Sequence, residues 1–283
     1  MGYDCATCFP GFGLPEKDHR TTVVYKMDWS WPPCQGPLHV AGKHKVKGTP
    51  YTAMDYAISY APSPRARLYA TERGPKQYLN QRRDARVLVV KMSEIEDAKF
   101  LEYAEEEANT LKGMALSVSM HKTELGVPTT TEVLKHLPLH NLVHVACHGI
   151  IDPEDPSNSH FLLSDGKLTV QQILKAYSAE PDVGFLSACS TAEYGDARLV
   201  DESIHIANAF LVLGFKQIIG TLWEGSDEAC MEISNCFYEK LLGEDEFKWD
   251  GSWKATLALH HAVKELKELQ PKHALLWAAF GPY

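Results

Sequence analysis

The chain has 283 residues, 45% apolar and 23% charged, the proportions of a soluble globular protein long enough for one large α/β domain plus an appendage. A formal net charge of −9 argues against nucleic acid as a partner, for which a basic stripe is the expected footprint, and mildly favours a basic substrate. Seven scattered cysteines suit a reducing compartment, no apolar run approaches a membrane span, and the first residues lack a charged-then-apolar leader, so a cytoplasmic protein free of membrane is expected.

Residues 1–52 read as an irregular segment or the remnant of an upstream region. Glycines and prolines recur through it from Gly2 to Pro50 without sustained periodicity, although Tyr25, Trp29 and Trp31 are apolar enough to dock on something. Cys5 and Cys8, with Cys34 and His39, have a faint zinc-site spacing but no second paired half, so neither a metal nor another cofactor is expected.

From residue 53 onward, apolar β-rich runs alternate with helical patterns, as in a parallel sheet built from βαβ units. The run 86–92 reads as a buried strand, and 93–114 as a helix with Ser93 as its cap. A short strand follows over 116–120, then a helix over 130–137 that Pro138 helps to end. The run 141–147 is the third strand. A polar loop leads from it to a helix beginning at Thr169, and 183–189 is the fourth strand. A helix over 201–214, with Asp201 as a cap candidate and Gly214 at its end, precedes the fifth strand, 215–223. Ser226 caps the next helix, another spans about 252–269, and 274–281 closes the chain as a sixth strand.

Two strand ends carry chemistry. "LVHVACHGI" ends in His148 and Gly149, and "VGFLSACST" runs to Cys189. In an open parallel sheet functional groups gather beyond the strands' carboxyl ends, so neighbouring strands would bring His148 and Cys189 together. A thiol is only slightly ionised at neutral pH, and an adjacent imidazole activates it and later protonates a departing amine. The N–H groups of Gly149 and Cys189 would then hold the developing oxyanion. Against this, a lone strand-end histidine is often structural and a cysteine on an apolar strand is often core. Cys147 points the opposite way by alternation and reads as core. His144 reads as a buried, hydrogen-bonded histidine whose face the sequence does not fix. Cys230, Cys236 and the His260–His261 pair read as helix packing, and no nucleotide-binding glycine motif is present.

Six blocks, "VHVACHG", "DPSNSHFLLSDGKLTV", "LSACSTAEYGD", "DESIHIANAF", "GFKQIIGTLWE" and "LWAAFGPY", together resemble CHAT domains, especially those of filamentous fungi, over about Ser59 to Tyr283. The resemblance implies a CHAT domain over 53–283 with a caspase-like three-layer α/β sandwich, its mostly parallel six-stranded sheet flanked by helices. It also implies a His/Cys protease dyad, here His148 and Cys189. The position two before the nucleophile lines the specificity pocket in related proteases and is Ser187 here, small and neutral. Glu193, Asp196, Asp201 and Glu202 follow Cys189 and would attract a basic residue, with Asp201 also a cap candidate. Trp223 either walls the pocket or packs at the core edge. Asp155, Pro156 and Ser157 read as a tight turn rather than a substrate contact, with Asp165 and Gly166 forming a second.

The expected function is a cysteine endopeptidase acting on protein substrates in a regulated signalling, cell-death or defence pathway, with an upstream helical-repeat or sensor region as a partner in a longer chain. The alternatives are a catalytically silent caspase-like scaffold and a hydrolase of non-peptide esters using the same dyad.

Overall fold

In the computed structural model, which describes residues 22–26, 57–61, 85–95, 98–152, 154–176, 181–188, 206–223, 225–243, 254–270 and 273–283, the apolar runs pair side by side as strands. β1 (Thr22–Lys26) and β2 (Ala57–Ala61) form a parallel two-stranded ribbon. The main sheet begins with β3 (Arg86–Lys91), followed by α1 (Ala104–Ser117), β4 (His121–Leu125), α2 (Thr130–His136) and β5 (Leu142–Ala146). A small antiparallel sheet of β6 (Gly149–Ile150), β7 (His160–Leu163) and β8 (Gly166–Thr169) precedes α3 (Val170–Lys175) and β9 (Val183–Ser187). The chain continues through α4 (Ile206–Leu213), β10 (Gln217–Thr221), α5 (Asp227–Leu242) and α6 (Lys254–Leu269), and closes with α7 (Ala274–Trp277) and β11 (Phe280–Pro282).

The main sheet has six strands in the order β11-β10-β9-β5-β3-β4, parallel throughout except for β11. Its central strands are continuous apolar runs because both faces are covered. Val87, Val89, Leu142, Val183, Phe185 and Ile219 pack under α1, α5 and α6. Leu88, Val90, Val143, Val145, Leu186 and Ile218 pack against residues of α2, α3 and α4. The result is the parallel βαβ sheet that the alternating pattern predicts, placed between helical layers as the family resemblance implies, with six strands of which all but β11 are parallel.

Several local expectations are corrected. The helix placed at 93–114 starts only at Ala104: Leu101 N–H donates to the Ser93 carbonyl (3.0 Å), closing a loop, and Tyr103 N–H donates to Asp227 Oδ2 (2.8 Å). The strand placed at 116–120 is the exit of that helix. Met120 N–H reaches back to Ala115 O and Ser119 N–H to Leu116 O, with Ser119 left-handed at φ 60°, so the helix end closes in a Schellman motif and the strand begins at His121. The polar loop after β5 contains β6–β8, because Phe161, Leu163 and Leu168 need covering and fold back onto the core. Residues 274–281 divide into a helical turn and β11 rather than one strand.

The cap expected at α5 is observed, and α2 and α3 carry caps that the sequence reading did not name. Thr129 with Glu132 and Thr169 with Gln172 form reciprocal capping boxes, and Ser226 accepts from Ala229 N–H. Asp201 lies outside the described residues.

Candidate active site

β5 and β9 lie side by side with His144 opposite Phe185 and Ala146 opposite Ser187. Parallel strands in this register bring their carboxyl ends to one edge of the sheet. Two residues on in sequence from the Ala146–Ser187 pair are His148 and Cys189. Cys189 lies outside the described residues, as do Glu193, Asp196 and Glu202; His148, Gly149, Ser187 and Trp223 lie inside them.

His148 is partly exposed between β5 and β6, and its Nε2 lies 2.6 Å from the Lys99 carbonyl. A carbonyl only accepts, so Nε2 carries the hydrogen and, in the neutral ring, Nδ1 is left as the acceptor. The loop that displaced the expected helix start is what delivers the Lys99 carbonyl to this ring. Gly149 follows, opposite Phe161, while Leu162 N–H donates to the His148 carbonyl (2.9 Å). That bond makes Gly149–Phe161 a non-hydrogen-bonded pair, so the ladder to β7 does not use the Gly149 N–H.

Next to the site, Thr221 Oγ1 donates to the Ala188 carbonyl (2.6 Å), fixing the last described residue after β9 to β10. Ser187 is buried and its hydroxyl donates inward to Glu107 Oε2 (3.0 Å). Trp223 is partly buried against the core under α1, α5 and α6. Cys147 is buried in the core on the opposite face, as alternation requires.

Beneath the strand ends lies a polar cluster in which His144 is buried and hydrogen-bonded as expected, and in which Glu107 is the member that sequence reasoning missed. Glu107, on the first turn of α1, is fully buried; its Oε2 accepts from Ser187 and its Oε1 faces His144 Nε2 at 3.5 Å, too far for a good hydrogen bond. Nδ1 of His144 pairs with the Tyr238 hydroxyl at 2.9 Å, and the imidazole stacks on Phe185. Burial pushes the Glu107 carboxyl up to about 8, against the pull of the Ser187 and Ser234 hydroxyls. Burial also pushes His144 down to about 3 and the Tyr238 phenol well above its ordinary range. At neutral pH the cluster is therefore uncharged, with a protonated acid beside a neutral imidazole. The signal was available: Glu107 falls on the stripe Ala104, Ala108, Leu111, Ala115 at helical spacing, but the run of three glutamates disguised it as solvated surface.

The remaining candidates take structural places. Asp155 accepts from Ser157 N–H and Oγ, shaping a 3₁₀ turn over Pro156–Asn158, and Asp165 accepts from Thr130 N–H (2.7 Å) and Oγ1. Gly166, at φ 127°, turns β7 into β8. Cys230 and Cys236 lie on α5, where burial raises the Cys236 thiol to about 11, and His260 and His261 pack edge to face on α6. Cys5, Cys8, Cys34 and His39 lie outside the described residues, among which no group of three His, Cys, Asp or Glu could hold a metal ion. No described helix is long and apolar enough to cross a membrane.

Residues 35–283 match the CHAT domain family, starting upstream of the first sequence block. No curated protein matches the sequence. Among solved structures the chain is similar to the Arg-specific cysteine proteinase gingipain R, with TM-score 0.59 and 11% identity over 84% of this chain and 55% of that one. It is similar to the complex of Porphyromonas gingivalis RgpB pro- and mature domains, with TM-score 0.56 and 12% identity over 86% and 56%. The separase of the Saccharomyces cerevisiae separase–securin complex gives TM-score 0.53 and 18% identity over 82% and 14%. The chain thus spans about half the length of the gingipain chains it matches and a small part of separase. At these identities the likeness establishes a shared caspase-like fold.

Proposed function

Because the chain belongs to the CHAT domain family, we propose that it is a cysteine endopeptidase with Cys189 as nucleophile and His148 as base. The observation that supports this best is the 2.6 Å contact of His148 Nε2 with the Lys99 carbonyl. Nε2–H is committed to the Lys99 carbonyl, which orients the ring and leaves Nδ1 as the lone pair able to take a thiol proton. The register of β5 and β9 supports the pairing, since His148 and Cys189 each stand two residues past an aligned pair.

In the reaction the Cys189 sulfur attacks the scissile carbonyl as its proton passes to His148 Nδ1. The carbonyl oxygen becomes an oxyanion held by the Gly149 and Cys189 N–H groups, and the Gly149 amide is left out of the β7 ladder. Collapse of this intermediate breaks the C–N bond, and the amine leaves with the proton from His148. Water then hydrolyses the thioester, giving its proton back through the same imidazole. No metal or cofactor enters this sequence. In this reading Ser187 and Trp223 are the residues that border the specificity pocket, although the Ser187 hydroxyl turns inward to Glu107 and Trp223 packs against the core, while Glu193 and Asp196, after Cys189 in sequence, draw in a basic residue. The "Arg specific" description of gingipain agrees with that preference.

The enzyme works in a reducing cytoplasm on protein substrates, within a regulated signalling, cell-death or defence response. It acts beside a helical-repeat or sensor region in a longer chain, with residues 1–52 as the junction. The deciding experiment compares intact protein with Cys189→Ala in a search for new amino termini in cell lysate. Cuts made only by the intact thiol, at basic residues, are expected. Identical termini from both proteins would instead favour a catalytically silent scaffold.

A further inference from the structure

We propose that Glu107 is a positioning residue for the dyad: its one carboxyl is hydrogen-bonded to the strand leading to Cys189 and faces the strand leading to His148, and from between them it holds both ends in their working arrangement. The proposal rests on the dyad reading above. Oε2 takes the Ser187 hydroxyl of β9, two residues before Cys189, and Oε1 faces Nε2 of His144 on β5, four residues before His148. The link is backed from behind, because His144 is held by the Tyr238 hydroxyl of α5 and by the Phe185 ring.

Packing does not account for an acid here. Ala104, Ala108, Leu111 and Ala115 already seat α1 on the sheet, and an apolar side chain at 107 would avoid burying a carboxyl with one oxygen unsatisfied. The charged or titratable groups facing Glu107 are His144 from β5 and Tyr238 and Asp227 from α5, with the Ser187 and Ser234 hydroxyls completing the ring. Burial, with a smaller contribution from Asp227, opposes ionisation of the carboxyl. With the acid protonated, Oε1–H points at His144 Nε2 and Nδ1–H donates to the Tyr238 oxygen. Losing one proton to solvent reverses this line. Nε2 then carries hydrogen toward a buried carboxylate, Nδ1 accepts from Tyr238, and a negative charge lies against Ser187, two residues before Cys189 in sequence, where it would oppose thiolate formation.

The test is the rate at which iodoacetamide alkylates Cys189, read by peptide mass spectrometry across a pH series, in the wild type, His148→Ala, Glu107→Gln and Glu107→Leu. Glutamine keeps an acceptor for Ser187 and fixes a donor toward His144, so it mimics the protonated acid. It is expected to retain most of the wild-type rate at neutral pH, and above pH of about 8 the wild type is expected to fall roughly threefold below it. Glu107→Leu is expected to slow alkylation about tenfold at every pH, while in His148→Ala the rate falls to that of an ordinary thiol and follows its ionisation near pH of about 8.5. Superimposable wild-type and Glu107→Gln curves, with His148→Ala slowed, would overturn the role of Glu107 alone. A wild-type thiol no faster than free cysteine, and unchanged in His148→Ala, would overturn the dyad and this proposal with it. If Glu107→Leu does not fold, the Glu107→Gln curve decides.

Discussion

The two faces of the main sheet are built to different rules. Every buried polar side chain of its four central parallel strands, Lys91, His144, Ser187, Gln217 and Thr221, lies on the face toward α1, α5 and α6. On the other face the same strands present Leu88, Val90, Val143, Val145, Leu186 and Ile218. Strand alternation alone assigns each residue its face, so the parity that buries Val145 and Cys147 on one side sends His144, Ala146 and Ser187 to the other. One face holds the domain together, and the other holds it in place. Gln217 shows the second role plainly, its amide donating to Thr256 Oγ1 (2.7 Å) and accepting from Ala255 N–H (2.8 Å) to seat the start of α6.

The most damaging way to break the contrast is to remove the ring on which the polar face leans. Phe185 stands within 5.0–6.1 Å, centroid to centroid, of Phe237, His144, Tyr238 and Phe280. Phe185→Ala is expected to cost about 4 kcal/mol in a urea denaturation. Exchanging the rules is gentler. Val145→Thr puts an unpartnered hydroxyl on the apolar face and is expected to cost about 2 kcal/mol, and a neutral result would mean that the faces are interchangeable. Thr221→Val, which strips the Ala188 carbonyl of its donor, is expected to cost about 1.5 kcal/mol by the same measurement.

Stability against pH sharpens the comparison further. Glu107 is raised from 4.5 to about 8, so the stability it contributes is whole below 4.5 and is lost as pH climbs through 8. His144 is lowered from 6.5 to about 3, so its contribution is whole above 6.5 and is lost as pH falls through 3. The opposing slopes cancel between 4.5 and 6.5, leaving a decline of about 1.4 kcal/mol per pH unit from there toward 8. Glu107→Gln is expected to flatten that decline in melts over this range. The smallest effect belongs to the cap of α2, on the apolar side: Thr129→Ala opens an exposed capping box and is expected to cost about 1 kcal/mol.

The central strands were legible because short apolar runs bounded by turn residues have few other uses. β4 was not, since "HKTEL" is an edge strand whose charges hide its β character, and the Schellman exit before it resembles a strand in composition. The α1 start was lost because Ile95 and Phe100 imitate helical spacing in a loop that folds back on itself, and Phe100 is in fact largely exposed. At the site, parity and register were readable from "LVHVACHGI" and "VGFLSACST". The partners of His148 and Ser187 were not, because the Lys99 carbonyl and Glu107 come from segments 49 and 80 residues away in sequence.

β4 also determines where the sheet stops. Glu124 lies 3.0 Å from Lys122 and 3.6 Å from both Lys112 and Lys91, and Lys91 pairs in turn with Glu105. A further strand added alongside β4 would have to run beside this lattice of charge and draw partly hydrated lysines and glutamates out of water. The outer edge is therefore a poor template for another copy's backbone, and crowding the protein to high concentration would not seed fibril growth from that side.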